Sequence, residues 1–419
     1  VIYLKKILKK ITIYSFIFLF LFSNICIADE VDSSEEISIT DISSEASTTI
    51  DNLSSINSRA FVVLDRKSNS IIIGKNEKEK RKMASTTKIM TALVVIEHSQ
   101  LNTLVEVSKK AAGTGGSRLG LKTGDKITIN DLLYGLMLCS GNDAAVCLAE
   151  TVGGSISGFA QLMNEKAKQL GLNNTNFVTP HGLDEDEHYT TAYELAVLSN
   201  HALNNETFSK IVGTETTTIS INGYPKTISN TNELLGNLNG VYGIKTGFTN
   251  GANRCLVTAC KRGDMDIICV VLGADTKNFR TKDSIKLIEY TFKNYQYFDL
   301  QDFVEKEFNI WKNNNSNNFT IQKGISQHLD LSHSELQNTI IPMKKSDISS
   351  IKLKVSCNTS LNAPIYKDDV IGKIEIICDE TVLDSLDILS NTTIREKNVF
   401  DYFIELLKNY SVSLNSLSL

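Results

Sequence analysis

The chain has 419 residues, 42% of them hydrophobic and 22% charged, with a formal net charge of −5. That length supports a large core and two domains, while the negative balance gives no electrostatic footing for a nucleic-acid partner. The six histidines show no metal-ligand spacing, and the cysteines are too irregular for a disulfide framework.

In chain order, Lys5, Lys6, Lys9 and Lys10 precede an apolar run from about Ile11 to Phe22 and then Cys26-Ile27-Ala28. This is the charge, core and cleavage order of a secretory leader, so residues 1–28 are expected to be a signal peptide. An uncleaved anchor helix is the alternative, although the run is short for a full span. Residues 29–56 are rich in Ser, Thr, Asp and Glu and lack Lys and Arg, which predicts a flexible linker. Ala60 to Leu64 and Ser70 to Ile73 read as strands joined at Arg66-Lys67-Ser68-Asn69.

Ser85-Thr86-Thr87-Lys88 comes next, followed by Ile89 to Ile96, which is apolar almost all round and predicts a helix through a domain centre with Ser85 in its first turn. A serine hydroxyl needs a neighbour to take its proton, and a lysine one helical turn away suits that role if its amine is neutral. Its ordinary pKa near 10.4 must then be pulled down by burial or by another cation, and Lys245 offers such a charge. Taken alone, the same residues also fit an N-cap serine and a solvated first-turn lysine.

Ser140-Gly141-Asn142 falls between two helical runs, Asp131 to Leu138 and Ala144 to Val152, with Asn130 or Asp131 as the cap of the first. Such a tight loop can hold a hydroxyl and an amide toward a cleft, and it can equally be a turn chosen for Gly and Asn. Cys139, beside it, reads better as a buried small side chain than as a reactive thiol. His181 and His188 lie in a segment that reads as a structured loop flanking a cleft.

Lys245-Thr246-Gly247 leads into two strand-like runs, Arg254 to Ala259 and Ile267 to Leu272, joined at Lys261 to Asp264, so the motif belongs on an edge strand beside a hairpin. A lysine and a threonine there form a clamp for a carboxylate, with Gly247 leaving the approach open. A solvated edge lysine explains Lys245 without Gly247.

Each motif has decoys. Lys122-Thr123-Gly124 reads as a loop, and Ser349 with Lys352 lies in the alternating stretch Ile351 to Val355, where residues three apart point to opposite faces. After an Asn-rich interruption, Asn313 to Asn318, the chain turns to short strand-like runs, including Ile371 to Ile377. Val399, Phe400, Tyr402, Phe403, Leu406, Leu407 and Tyr410 then share a helical face that suits either a membrane surface or docking on the preceding β domain.

Beyond the three motifs, Arg81-Lys82-Met83-Ala84, Gly116-Ser117-Arg118-Leu119-Gly120-Leu121, Asp143-Ala144, Pro180-His181-Gly182-Leu183 and Phe248-Thr249 resemble the serine D-alanyl-D-alanine carboxypeptidases of the S11 type, the low-molecular-mass penicillin-binding proteins. The likeness covers about residues 57–295 and continues more weakly to about 395; Gly251-Ala252-Asn253 departs from the family's usual Ala-Gly. The resemblance implies an α+β fold, in which a β-lactamase-like transpeptidase domain (57–295), an antiparallel sheet flanked by helices, precedes a small β-sandwich-like domain (300–392) and an amphipathic tail helix (394–419). It implies catalytic Ser85, Lys88 and Ser140 as nucleophile, base and proton relay. Asn142, Lys245, Thr246, Gly247 and Phe248 would bind substrate, with the N–H groups of Ser85 and Phe248 as oxyanion hole.

The implied reaction removes the terminal D-alanine of peptidoglycan stem pentapeptides without a cofactor or metal, outside the cytoplasmic membrane, with β-lactams as covalent inhibitors. Two rivals remain at this level. A class A β-lactamase would need a Glu-x-x-Leu-Asn loop, and none occurs between Ser140 and Lys245. A non-catalytic wall-binding module would keep the cleft for recognition alone.

Overall fold

The structure, a computed structural model, describes residues 53–416. The expected leader therefore lies outside the described residues, as does all of the expected linker except its last four residues, within which Leu53–Ser55 form a 3-10 turn. The described chain divides into two compact units, one ending at Lys293 and the other beginning at Asn294.

In the first unit, β1 (Ala60–Asp65) and β2 (Ile71–Lys75) form a hairpin whose turn is closed by Asp65 N–H donating to Ser70 O. The helices α1 (Lys88–His98), α2 (Ile129–Met137), α3 (Asn142–Gly153), α4 (Ile156–Gln169) and α5 (Ala192–Leu203) follow. The chain then returns as β3 (Val241–Thr249), β4 (Asn253–Arg262) and β5 (Met265–Ala274) before α6 (Lys277–Asn294). The five strands form one antiparallel sheet in the order β2-β1-β5-β4-β3. Both ends of the unit thus share one sheet, with Ala60 opposite Leu272 and Asp65 opposite Ile267.

Burial explains the sequence pattern. Every residue of β1 is buried, as is nearly every residue of β4 and β5, so both faces of the sheet centre are covered and these strands need apolar residues on each. Helix α1 is buried from Lys88 to Val95, matching its apolar surround, and α5 packs across β1 and β5. Helix α2 begins earlier than its apolar run indicates. Its cap is Thr128, whose hydroxyl accepts from Asp131 N–H at 3.1 Å, and not Asn130 or Asp131, which both lie within the helix.

In the second unit, α7 (Leu300–Asn315) buries Leu300, Val304 and Phe308, one side chain per turn. The Asn-rich stretch is consequently not an interruption: its first half ends this helix, and Ser316–Asn318 add a 3-10 turn. Three longer strands follow, β6 (Ile351–Cys357), β7 (Val370–Cys378) and β8 (Thr381–Ser390). With Leu331–His333 they form a four-stranded antiparallel sheet, packed through Ile374, Ile376, Leu386 and Ile388. Helix α8 (Val399–Ser416) ends the described chain.

Candidate active site

Ser85 lies in a 3-10 turn, Ala84–Thr87, immediately before α1 and not in the first turn of the α-helix itself. Ala84 takes φ of +49°, a conformation costly for a residue with a Cβ. The turn is held by its hydroxyls, Thr86 donating to Met83 O at 2.6 Å and Thr87 to Ala84 O at 2.8 Å. Lys88 then opens α1 with its side chain fully buried at 0% exposure, which rules out the solvated-lysine alternative. Its Nζ lies 2.8 Å from Ser85 Oγ, 2.7 Å from Asn142 Oδ1 and 2.8 Å from the carbonyl oxygen of His181.

Those three partners are chemically unequal. The Asn142 and His181 oxygens only accept, whereas the Ser85 hydroxyl can donate or accept. A neutral amine has two N–H bonds and one lone pair, so in that form it can donate to the two carbonyl oxygens and accept from Ser85.

The loop between α2 and α3 supplies the second wall. Ser140 sits at φ of +56° and is 6% exposed, and its hydroxyl has no partner among the described residues. Asn142, first in α3, accepts from Lys88 and donates through Nδ2 to Gly115 O at 2.8 Å. The next residue, Asp143, is wholly buried and accepts from four backbone N–H groups, those of Leu119, Gly120, Leu121 and Ala144, at 2.8 to 3.0 Å. It ties the segment after Gly116 to the start of α3.

The segment from Pro180 to His188 supplies the floor. Thr91 donates to Pro180 O at 2.6 Å from within α1. Gly182, at φ of +86°, lies so close to the Ala84 carbonyl that a Cβ would not fit. His188 accepts from Val178 N–H through Nδ1 at 3.0 Å, so Nε2 carries the proton toward Thr87 Oγ1 at 2.8 Å. Burial pushes His188 down to about 4, with Asp184 opposing and Lys82 and Lys88 adding to the effect. Burial likewise pushes His181 down to about 3, reinforced by Lys88 and His188.

The third wall is β3, an edge strand that packs against the Ser85 turn. A Cβ on Gly247 would stand 3.1 Å from the backbone nitrogens of Ser85 and Thr86, so glycine permits the close approach. Lys245 is 1% exposed and its Nζ donates to Thr246 O at 3.0 Å. The Thr246 hydroxyl meets that of Thr231 at 2.8 Å, and Phe248 lies beneath the Arg254 guanidinium at 3.8 Å.

Ser85, Lys88 and Asn142 are therefore joined directly. Gly247 abuts the nucleophile turn, Ser140 shares the Asn142 loop, and Lys245, Thr246 and Phe248 share the Gly247 strand. The decoys are elsewhere: Lys122 to Gly124 lie in a loop, and Ser349 is in an exposed 3-10 turn while exposed Lys352 is on β6. Sequence reasoning overlooked Asp143, the His181 carbonyl and Thr231. Only Asp143 carried a signal, an acid directly after Asn142. Cys139 is buried. Among the described residues, no three His, Cys, Asp or Glu side chains cluster to hold a metal ion.

A family model described as D-alanyl-D-alanine carboxypeptidase matches residues 45–276, and one described as penicillin-binding protein 5, C-terminal domain, matches residues 310–396. D-alanyl-D-alanine carboxypeptidase DacF of Bacillus subtilis (strain 168) is 33% identical over 331 residues, covering 78% of this chain and 82% of its own. DacC of Escherichia coli (strain K12) is 33% identical over 350 residues, covering 77% and 80%. Among solved structures, D-alanyl-D-alanine carboxypeptidase DacD from Francisella tularensis superposes with a TM-score of 0.70 at 25% identity, over 87% of this chain and 97% of that one. Penicillin-binding protein 5 from Haemophilus influenzae gives a TM-score of 0.63 at 28% identity, over 82% and 99%.

Proposed function

The chain belongs to the D-alanyl-D-alanine carboxypeptidase family, and from that premise we propose that it removes the terminal D-alanine of peptidoglycan stem pentapeptides through an acyl-enzyme on Ser85. The observation that carries this reading is the buried Lys88 side chain, whose Nζ lies 2.8 Å from Ser85 Oγ. Ser85 Oγ attacks the carbonyl of the penultimate D-alanine as its proton passes to Lys88. The Ser85 and Phe248 N–H groups receive the developing oxyanion. Ser140 relays the proton to the departing amine, the C–N bond breaks, and D-alanine leaves. Water then attacks the ester carbonyl as its proton passes to Lys88, and the acyl C–O bond breaks while Lys88 returns that proton to Ser85 Oγ.

Asn142 orients the acyl amide and Lys88 together, since its two ends are fixed in opposite senses. Lys245 and Thr246 bind the terminal carboxylate, and Gly247 leaves room for it. Penicillin, as a mimic of the dipeptide, acylates the same serine. Mass spectrometry of the labelled protein tests this: fluorescent penicillin should add to the single peptide holding Ser85, and Ser85→Ala should lose both the label and D-alanine release. Rapid return of the unmodified mass with penicilloate would make the protein a lactamase, and peptide binding without D-alanine release would make it a recognition module.

The substrate lies outside the cytoplasmic membrane, and the leader-like residues 1–28 support export to that face. Helix α8 is proposed to rest on the membrane surface. Its apolar residues are exposed, Phe400 at 77% and Leu406 at 68%, which speaks against docking on the β domain. Its Asp401 and Glu405 pair with Arg395 and Lys397 in the segment just before it. Among the described residues no helix is long and apolar enough to cross a membrane.

A further inference from the structure

Thr246 is 3% exposed, and its hydroxyl meets the Thr231 hydroxyl at 2.8 Å; neither hydroxyl has another partner among the described residues. We infer that Thr231 is a positioning residue for the carboxylate clamp: its O–H donates to Thr246 Oγ1 and so turns the Thr246 proton toward the terminal carboxylate of the substrate. The inference rests on the function proposed above, which places that carboxylate at Lys245 and Thr246.

The proton count carries it. Two hydroxyls hold two protons, and one is spent on the bond between them, so the pair has one O–H to offer outside itself. Were Thr246 to donate inward, its oxygen would face the carboxylate with lone pairs only, a repulsive contact. With Thr231 as the inner donor, Thr246 accepts on one side and donates on the other, and the bond it accepts strengthens the bond it gives. An ionised carboxylate only accepts, so its arrival selects this arrangement.

The chain around Thr231 holds it in place. Asn230 N–H donates to Glu215 O at 2.8 Å, its Nδ2 donates to Thr214 O at 3.1 Å, and its Oδ1 accepts from Asn232 N–H at 2.9 Å. Asn232 Oδ1 accepts in turn from Leu234 N–H at 3.2 Å. Glu233 pairs with Lys277 at 2.9 Å and Arg280 at 3.1 Å, both on α6. The side chains of Asn230, Asn232 and Glu233 are thus spent on anchoring this segment, while that of Thr231 reaches β3. Its N–H donates to Leu138 O at 3.1 Å, two residues before Ser140. One residue therefore ties the clamp strand to the wall that carries Ser140.

The test is a double-mutant cycle read on D-alanine release from a pentapeptide ending in D-Ala-D-Ala, with the rate of penicillin acylation as the readout where turnover is slow. Thr231→Val keeps the shape and removes the hydroxyl. It should raise KM about 3- to 10-fold with kcat nearly unchanged, because the carboxylate is held equally before and during the reaction. Thr231→Ser should restore the parental KM. In a Thr246→Val background the change Thr231→Val should have no further effect, since no hydroxyl is left to aim. If the valine variant does not fold, Thr231→Ala takes its place in the same cycle. A parental KM without the Thr231 hydroxyl, or a loss of equal size with and without the Thr246 hydroxyl, would overturn the role of Thr231 and leave the parent function standing. No D-alanine release by the wild type would overturn the parent function, and this inference with it.

Discussion

Replacing Asp143 with asparagine should unlock the cleft without touching a reacting group. Each carboxylate oxygen accepts two backbone N–H groups, Oδ1 from Leu119 and Ala144 and Oδ2 from Gly120 and Leu121. An asparagine amide can reproduce one oxygen only, so its NH2 must face two N–H donors whichever way it turns. Two charge-assisted bonds are then lost and two donors are left without acceptors, at about 1–3 kcal/mol each. One pair includes Gly120, whose N–H water can reach, so the amide turns that way and the net loss is about 3 kcal/mol, a large share of the ~5–15 kcal/mol typical of a domain. Urea unfolding followed by fluorescence measures it, and penicillin acylation of the folded fraction should slow about tenfold, because Asn142 is the adjacent residue and Gly115 is its partner. A loss below about 1 kcal/mol, with acylation unchanged, would refute the idea that this carboxylate organises the wall.

Gly182→Ala should abolish acylation and lower stability by about 3 kcal/mol, since the added carbon meets the Ala84 carbonyl and the position has φ of +86°; normal labelling by fluorescent penicillin would contradict this. His188 and His181 keep folded-state values of about 4 and about 3 against an ordinary 6.5, chiefly through burial. Their contribution is complete above pH 6.5 and is lost as pH falls toward those values, because the unfolded chain takes up protons that the folded chain refuses, by up to about 1.4 kcal/mol per pH unit per histidine. His188→Gln should therefore flatten the acid limb of a stability profile measured from pH 7 to 4, and an unchanged limb would count against it. Phe400→Glu with Phe403→Glu should abolish sedimentation with lipid vesicles, while the fraction of anionic lipid should matter little; binding that tracks anionic lipid would point to charge instead of apolar burial.

The fold was legible where one rule governed a stretch. Apolar runs at Ala60 to Leu64 and Ile267 to Leu272 indicated strands, and the all-round apolar surface of α1 indicated a central helix. It was illegible where tertiary contacts decided. The Asn-rich end of α7 is poor in helix-forming residues, yet Val304 and Phe308 bury one face and carry the helix to Asn315. Thr128 caps α2 because the helix begins two residues before its apolar pattern does. In the site, side chains with distinctive chemistry announced themselves, whereas the His181 carbonyl carries no residue-type signature. Thr231 was hidden for a related reason: a threonine in a loop has many uses, and only its 2.8 Å approach to Thr246 reveals this one.

Pairing Ala60 with Leu272 has a kinetic corollary. β1 is among the first parts of this unit to be synthesised, yet the middle strand it pairs with, β5, is among the last. Closing so long a loop is slow, and until β5 emerges the nascent polypeptide has no sheet centre on which α5 can settle. An amino-terminal fragment ending before β5 should therefore remain open and protease-sensitive, and the unit should gain protection only once β5 is present.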